Sequence, residues 1–147
     1  MKQEDKDLLS KDLCARLPYC IKFPITVKNP ITSEPIETTG TISDINRYGI
    51  VSFVWDYEGQ EILEKHALHI KDVKPYLFPL SSMTEEQCFQ LAGIRSGYSD
   101  CWKYIKTPIP LHIANYEQID WFNRNHLDYR GLIPKGLAID ATGLNIY

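Results

Sequence analysis

The stretch Thr39-Gly40-Thr41-Ile42-Ser43-Asp44-Ile45-Asn46-Arg47-Tyr48-Gly49-Ile50-Val51-Ser52-Phe53-Val54-Trp55 reads as a β-hairpin. Two runs rich in β-branched and aromatic residues flank the turn formers Asn46 and Gly49. The second run is apolar at almost every position, which predicts a strand near the centre of its sheet. Outward from the hairpin, short β-type runs cover 19–27, a brief piece near Ile62, and 68–77. The turn formers Asn29-Pro30, Glu34-Pro35 and Glu58-Gly59 separate them.

About five short strands at this spacing predict a small barrel resembling the SH3-like class, in which near closure removes exposed strand edges. Before the barrel, Leu8, Leu9 and Leu13 lie in a charged background, and the spacing of four between Leu9 and Leu13 predicts a short amphipathic helix over 4–16, ended by Pro18. After it, Ser82 with Glu85, or Thr84 with Gln87, fits a capping box opening a helix to about Ile94. Gly93 and Arg95-Ser96-Gly97-Tyr98-Ser99-Asp100 then predict a mobile loop. Asn115 caps a further helix from Tyr116 to about Asn125, with Ile119, Trp121 and Phe122 inward. The expected class is β-rich α+β: residues 1–80 form the N-terminal helix and five-stranded barrel, and 81–147 form a helical region packed on it.

Apolar residues make up 44% and charged residues 24% of the 147, a globular balance. No apolar run approaches the roughly 20 residues that cross a bilayer, and the charged start Met1-Lys2-Gln3-Glu4-Asp5-Lys6-Asp7 lacks the apolar core of a secretory signal, so a cytoplasmic protein without a membrane partner is expected. Cys14, Cys20, Cys88 and Cys101 are too few and too scattered for a disulfide framework, and are expected to be reduced and either buried or inert. A net charge of −3, balanced on both sides of residue 80, supplies no field for a phosphate backbone.

His66-Ala67-Leu68-His69 would bring two imidazoles to one metal on a helical turn, but to opposite faces on a strand, and no further ligands stand at a matching spacing. No metal and no cofactor is expected. The loop residues His126, Asp128 and Arg130 combine a titratable ring, a carboxylate and a guanidinium, the groups of acid and base chemistry. The same residues suit a structural role fastening the tail through backbone hydrogen bonds and the turn at Gly131. Ser52, Ser96 and Ser99 lack a nucleophile-elbow context, and the glycines are too scattered for a phosphate loop. Aromatics are the notable excess, with nine tyrosines and three tryptophans. Tyr48, Trp55 and Tyr57 are expected on the barrel rim, and Tyr98, Trp102 and Tyr104 beside the mobile loop, as binding residues.

Arg16-Leu17-Pro18-Tyr19, Lys74-Pro75-Tyr76-Leu77 and Ser81-Ser82-Met83-Thr84-Glu85-Glu86 join the ending Asp120-Trp121-Phe122-Asn123 through His126-Leu127-Asp128-Tyr129-Arg130-Gly131-Leu132-Ile133. Together they resemble a family of small uncharacterised proteins from gut anaerobic bacteria and their mobile elements and phages. The resemblance implies a cytoplasmic accessory protein and brings no activity, substrate or catalytic residue. The first reading is thus a non-enzymatic protein–protein interaction module, binding a partner protein or itself through aromatic residues. The second is nucleic-acid binding by the barrel through Lys22, Lys28, Arg47, Lys71 and Lys74. The third is a small hydrolase or transferase built on His126, Asp128 and Arg130.

Overall fold

The structure, a computed structural model, describes residues 1–94 and 114–147. The chain is α+β and divides into two compact units, Met1–Tyr76 and Leu77–Tyr147.

The first unit opens with α1 (Gln3–Arg16), which buries Leu9 and Leu13 and leaves Leu8 half-buried. Asp12 and Arg16 share the buried face, although both are charged. Arg16 Nε donates to Asp12 Oδ2 at 2.7 Å and a second guanidinium nitrogen to Oδ1 at 3.1 Å, so the pair enters the interior as a bidentate ion pair. Pro18 sits in the single 3₁₀ turn that ends the helix.

Four strands follow as an antiparallel meander: β1 (Lys22–Lys28), β2 (Pro35–Ile45), β3 (Ile50–Tyr57) and β4 (Gln60–His69), in the order β1-β2-β3-β4. The apolar strand β3 takes an interior position, and its Val51, Phe53 and Trp55 are all buried. Phe23 of β1 meets Phe53 edge to face with centroids 5.5 Å apart. Both Phe23 and Ile25 lie over Gly40 of β2, where a Cβ would stand 3.1 Å from each side chain, so the glycine makes room for the ring.

Chain reversals account for the connections. At the β2–β3 turn, Asn46 Oδ1 accepts from Tyr48 N at 2.9 Å and Ile50 N at 3.0 Å, and Gly49 N donates to Asn46 O at 2.9 Å. Gly49 holds φ +73°, the left-handed residue that completes a three-residue hairpin loop. At the β3–β4 turn, Glu58 and Gly59 are both left-handed and Tyr57 pairs with Gln60, the pattern of a two-residue type I′ hairpin. Two bulges bend the sheet. Ser43 is the extra residue between Ile42 and Asp44 of β2, and residues 65–67 of β4 stand opposite the single residue Ser52.

No closed barrel is seen among the described residues. The brief piece expected near Ile62 is instead the ten-residue strand β4. The run 68–77 adds no strand to the four-stranded sheet: after His69 it forms a 3₁₀ turn, Ile70–Asp72, then the two-residue fifth strand β5 (Tyr76–Leu77), which pairs with β6 (Ile139–Asp140). Ile70 and Val73 recur at a spacing of three, the period of a 3₁₀ turn, and both are buried.

In the second unit, α2 (Glu85–Ile94) opens on the Thr84–Gln87 alternative. Gln87 N donates to Thr84 Oγ1 at 3.2 Å and Thr84 N to Gln87 Oε1 at 3.0 Å. A second reciprocal box, Asn115 with Gln118, starts α3 (Tyr116–Arg124). Leu80, Met83, Leu91, Trp121, Phe122, Leu127 and Tyr129 form the buried cluster between these elements, with Ile119 packed at its edge. The loop expected over 95–100 lies outside the described residues. Among the described residues, no helix is long and apolar enough to cross a membrane.

Candidate functional site

Among the described residues, two places collect the chemistry-bearing side chains, one in each unit. In the second unit it is the loop that leaves α3. His126 N donates to Asn123 O at 3.2 Å and Leu127 N to Phe122 O at 3.0 Å, the two bonds of a Schellman motif, with buried Phe122 and Leu127 as its apolar pair. His126 occupies the left-handed position of that motif, at φ +53°, where glycine is usual. Its imidazole lies flat on the Tyr147 ring, with centroids 3.7 Å apart and planes 12° apart.

Asp128, also buried, spends each carboxylate oxygen on a backbone donor: Oδ1 accepts from Leu132 N at 2.7 Å and Oδ2 from Ile133 N at 2.8 Å. Its own N–H donates to Phe78 O at 2.8 Å, and Phe78 N donates to His126 O at 2.9 Å, so residues 126–128 form a short parallel bridge with Phe78. The Arg130 guanidinium lies 4.7 Å over the Tyr129 ring. Tyr129 in turn stacks on Phe122 at 5.2 Å and donates from its hydroxyl to Asn123 Oδ1 at 2.9 Å.

The loop therefore brings the three predicted residues close in the chain but turns them to different tasks. His126 caps a helix and stacks, Asp128 ties the following turn, and Arg130 covers an aromatic ring. A groove of about 490 Å³ opens beside the loop, bordered by Phe78, Gln87, Arg124, His126 and Tyr147.

In the first unit the site is the tip of the β2–β3 hairpin. Tyr48 is 66% exposed, yet both its ends are held. Its N–H is fixed by Asn46, and its hydroxyl accepts from the Arg47 guanidinium at 2.7 Å. The guanidinium carbon lies 4.8 Å from the ring centroid, a cation–π arrangement. A large aromatic surface with an attached cation thus projects from a turn closed by four hydrogen bonds.

The other predicted binding residues fall differently. Trp55 is only 4% exposed, so it belongs to the core and not to a rim, because the alternation of β3 turns it with Val51 and Phe53 to the buried face. Its Nε1 is buried and meets no hydrogen-bond acceptor among the described residues. Tyr57 is half-buried, packs edge to face on Trp55 at 5.9 Å and donates to Asn29 Oδ1 at 3.3 Å, which anchors the β1–β2 turn. Tyr98, Trp102 and Tyr104 lie outside the described residues.

His66 and His69 are both on β4 and not on a helical turn. His69 is exposed, and the side chain of His66 lies outside what is described. Among the described residues no group of three or more His, Cys, Asp or Glu is placed to hold a metal ion. Cys14 and Cys20 are exposed, contrary to the buried placement allowed by the sequence, and Cys88 is half-buried; all three are free thiols. Lys28, Arg47, Lys71 and Lys74 are exposed and Lys22 is half-buried, spread over β1, the hairpin tip and the 70–74 segment.

Sequence reasoning missed three features. The Asp12–Arg16 pair had a legible signal in its spacing of four. The stacking partner of His126 is 21 residues away and had none. Phe89 of α2 and Tyr116 of α3, 69% and 79% exposed, went unnoticed because an aromatic residue within a helix reads as core. No protein-family model matches this chain, and no curated protein or solved structure shows significant similarity to it.

Proposed function

We propose that this chain acts by binding another protein, without catalysis, and that the Arg47–Tyr48 hairpin tip is its principal contact. The observation that carries the reading is a two-thirds exposed tyrosine whose ring and hydroxyl lie against the Arg47 guanidinium at the tip of a hydrogen-bonded turn. Tyr and Arg are the residue types that dominate interface energetics, and here the two stand together on one exposed turn. The duties of His126, Asp128 and Arg130 in capping, tying and stacking favour this reading over acid and base chemistry at that loop.

We also propose that the meander is an open relative of the SH3-like barrel, a reading supported by its two bulges, which locally bend and twist strands. On the resemblance of its sequence motifs, we propose further that the chain is a cytoplasmic accessory protein carried by phages or mobile elements.

The test is capture from a lysate of its native cell with the tagged chain and with Tyr48→Ala, each with and without nuclease. A protein retained after nuclease by the parent chain and lost with Tyr48→Ala supports the reading. Recovery of nucleic acid, or of proteins that disappear with nuclease, would overturn it in favour of nucleic-acid binding through the basic residues of the same unit.

A further inference from the structure

Among the described residues, the two outer strands of the four-stranded sheet, β1 and β4, each pair on one side only, and their outer sides are not alike. At β1, Pro24 sits mid-strand and cannot donate a backbone hydrogen bond. Antiparallel pairing of β1 with a second β1 about Ile25 would also set Lys22 against Lys28, like against like. That edge is defended against pairing.

The β4 edge carries no proline, and among the described residues β4 pairs only with β3. The two-residue turn makes Tyr57 and Gln60 a hydrogen-bonded pair, and the unbroken register Asp56↔Glu61, Trp55↔Ile62, Val54↔Leu63 fixes the alternation from there. Ile62 then exchanges its peptide hydrogen bonds with Trp55, while Glu61 and Leu63 direct their N–H and C=O groups away from β3. Glu61 and Leu63 also carry exposed side chains, Leu63 at 49%, and Lys65, the first residue of the β4 bulge, is exposed as well.

This outward series is self-complementary. In an antiparallel pair of two β4 strands centred on Leu63, Leu63 meets its own copy on the two-fold axis, and Glu61 of each strand stands opposite Lys65 of the other. Two opposite-charge cross-strand pairs and one apolar pair form together, with the peptide groups of Leu63 meeting each other across the axis. We infer that the β4 edge docks a second copy of this chain, joining two four-stranded sheets into one continuous eight-stranded sheet.

The inference goes beyond the proposed function and uses a different surface. Sedimentation equilibrium of the purified full chain tests it, with Glu61→Lys, with Glu61→Lys combined with Lys65→Glu, and with Tyr48→Ala. All three positions are exposed, and circular dichroism checks that each variant keeps the parent fold. The parent chain is expected to dimerise and Glu61→Lys to weaken the dimer at least roughly tenfold, because both cross-strand pairs become repulsive. The combined charge swap is expected to restore the dimer, and Tyr48→Ala to leave it unchanged. A parent chain that stays monomeric at the highest soluble concentration would overturn the inference. So would a dimer indifferent to Glu61→Lys, or one that the swap fails to restore.

Discussion

His126 shows how one side chain answers to the backbone before it answers to chemistry. Its left-handed conformation closes the end of α3, and a non-glycine residue there carries a conformational penalty of about 1 kcal/mol. His126→Ala removes the stack on Tyr147 and keeps that penalty; His126→Gly removes the stack and relieves it. The glycine variant is therefore expected to be about 1 kcal/mol more stable than the alanine variant, read from denaturant midpoints; equal stabilities would contradict the cap assignment. The sequence showed the His126–Arg130 cluster but not its division of labour, because a cap that lacks glycine has no local signature. A second residue-scale prediction concerns Tyr116. Its phenol lies above the ordinary 10.0 because its hydroxyl donates to the Glu117 carboxylate, whose charge also opposes phenolate. The native state thus holds this proton more tightly than the unfolded chain. The linked contribution is complete below the unfolded pKa and lost as pH rises through the native one. The difference in phenolate absorbance between the parent chain and Glu117→Gln isolates this titration, which the substitution should bring back toward the ordinary value.

Among the elements, those set by neighbouring residues were legible. The β2–β3 hairpin follows from Asn46 and Gly49, and the starts of α2 and α3 follow from reciprocal side chain to backbone caps. What could not be read is what depends on partners distant in sequence. The run 68–77 is apolar enough for a strand, but the 3₁₀ turn at Ile70–Asp72 and the pairing of β5 with β6, more than sixty residues on, decide otherwise. Trp55 was misplaced because an apolar strand such as β3 does not announce which of its faces is buried. In α1 the buried pair gives a sharp expectation. Arg16→Ala leaves the Asp12 carboxylate in the interior without the guanidinium, and should cost about 3–5 kcal/mol, against much less when both positions are replaced together by apolar residues of similar volume. Urea titrations of the single and double variants check it, and a double variant as unstable as the single would contradict it.

At the scale of the whole molecule, each unit carries its own buried apolar set, and residues 1–76 hold a complete meander with its helix. A fragment of residues 1–76 is expected to unfold cooperatively by itself, followed by circular dichroism; a fragment without a cooperative transition would show that this unit depends on the second. The proposed function rests on the exposed Arg47–Tyr48 tip of that unit. Its most direct test is a binding titration of the captured partner protein against the parent chain, Tyr48→Ala and Arg47→Ala. The account predicts that Tyr48→Ala weakens binding by about 2 kcal/mol or more, roughly thirtyfold, with a smaller loss for Arg47→Ala and no change in fold. Affinity unchanged by both substitutions would contradict it.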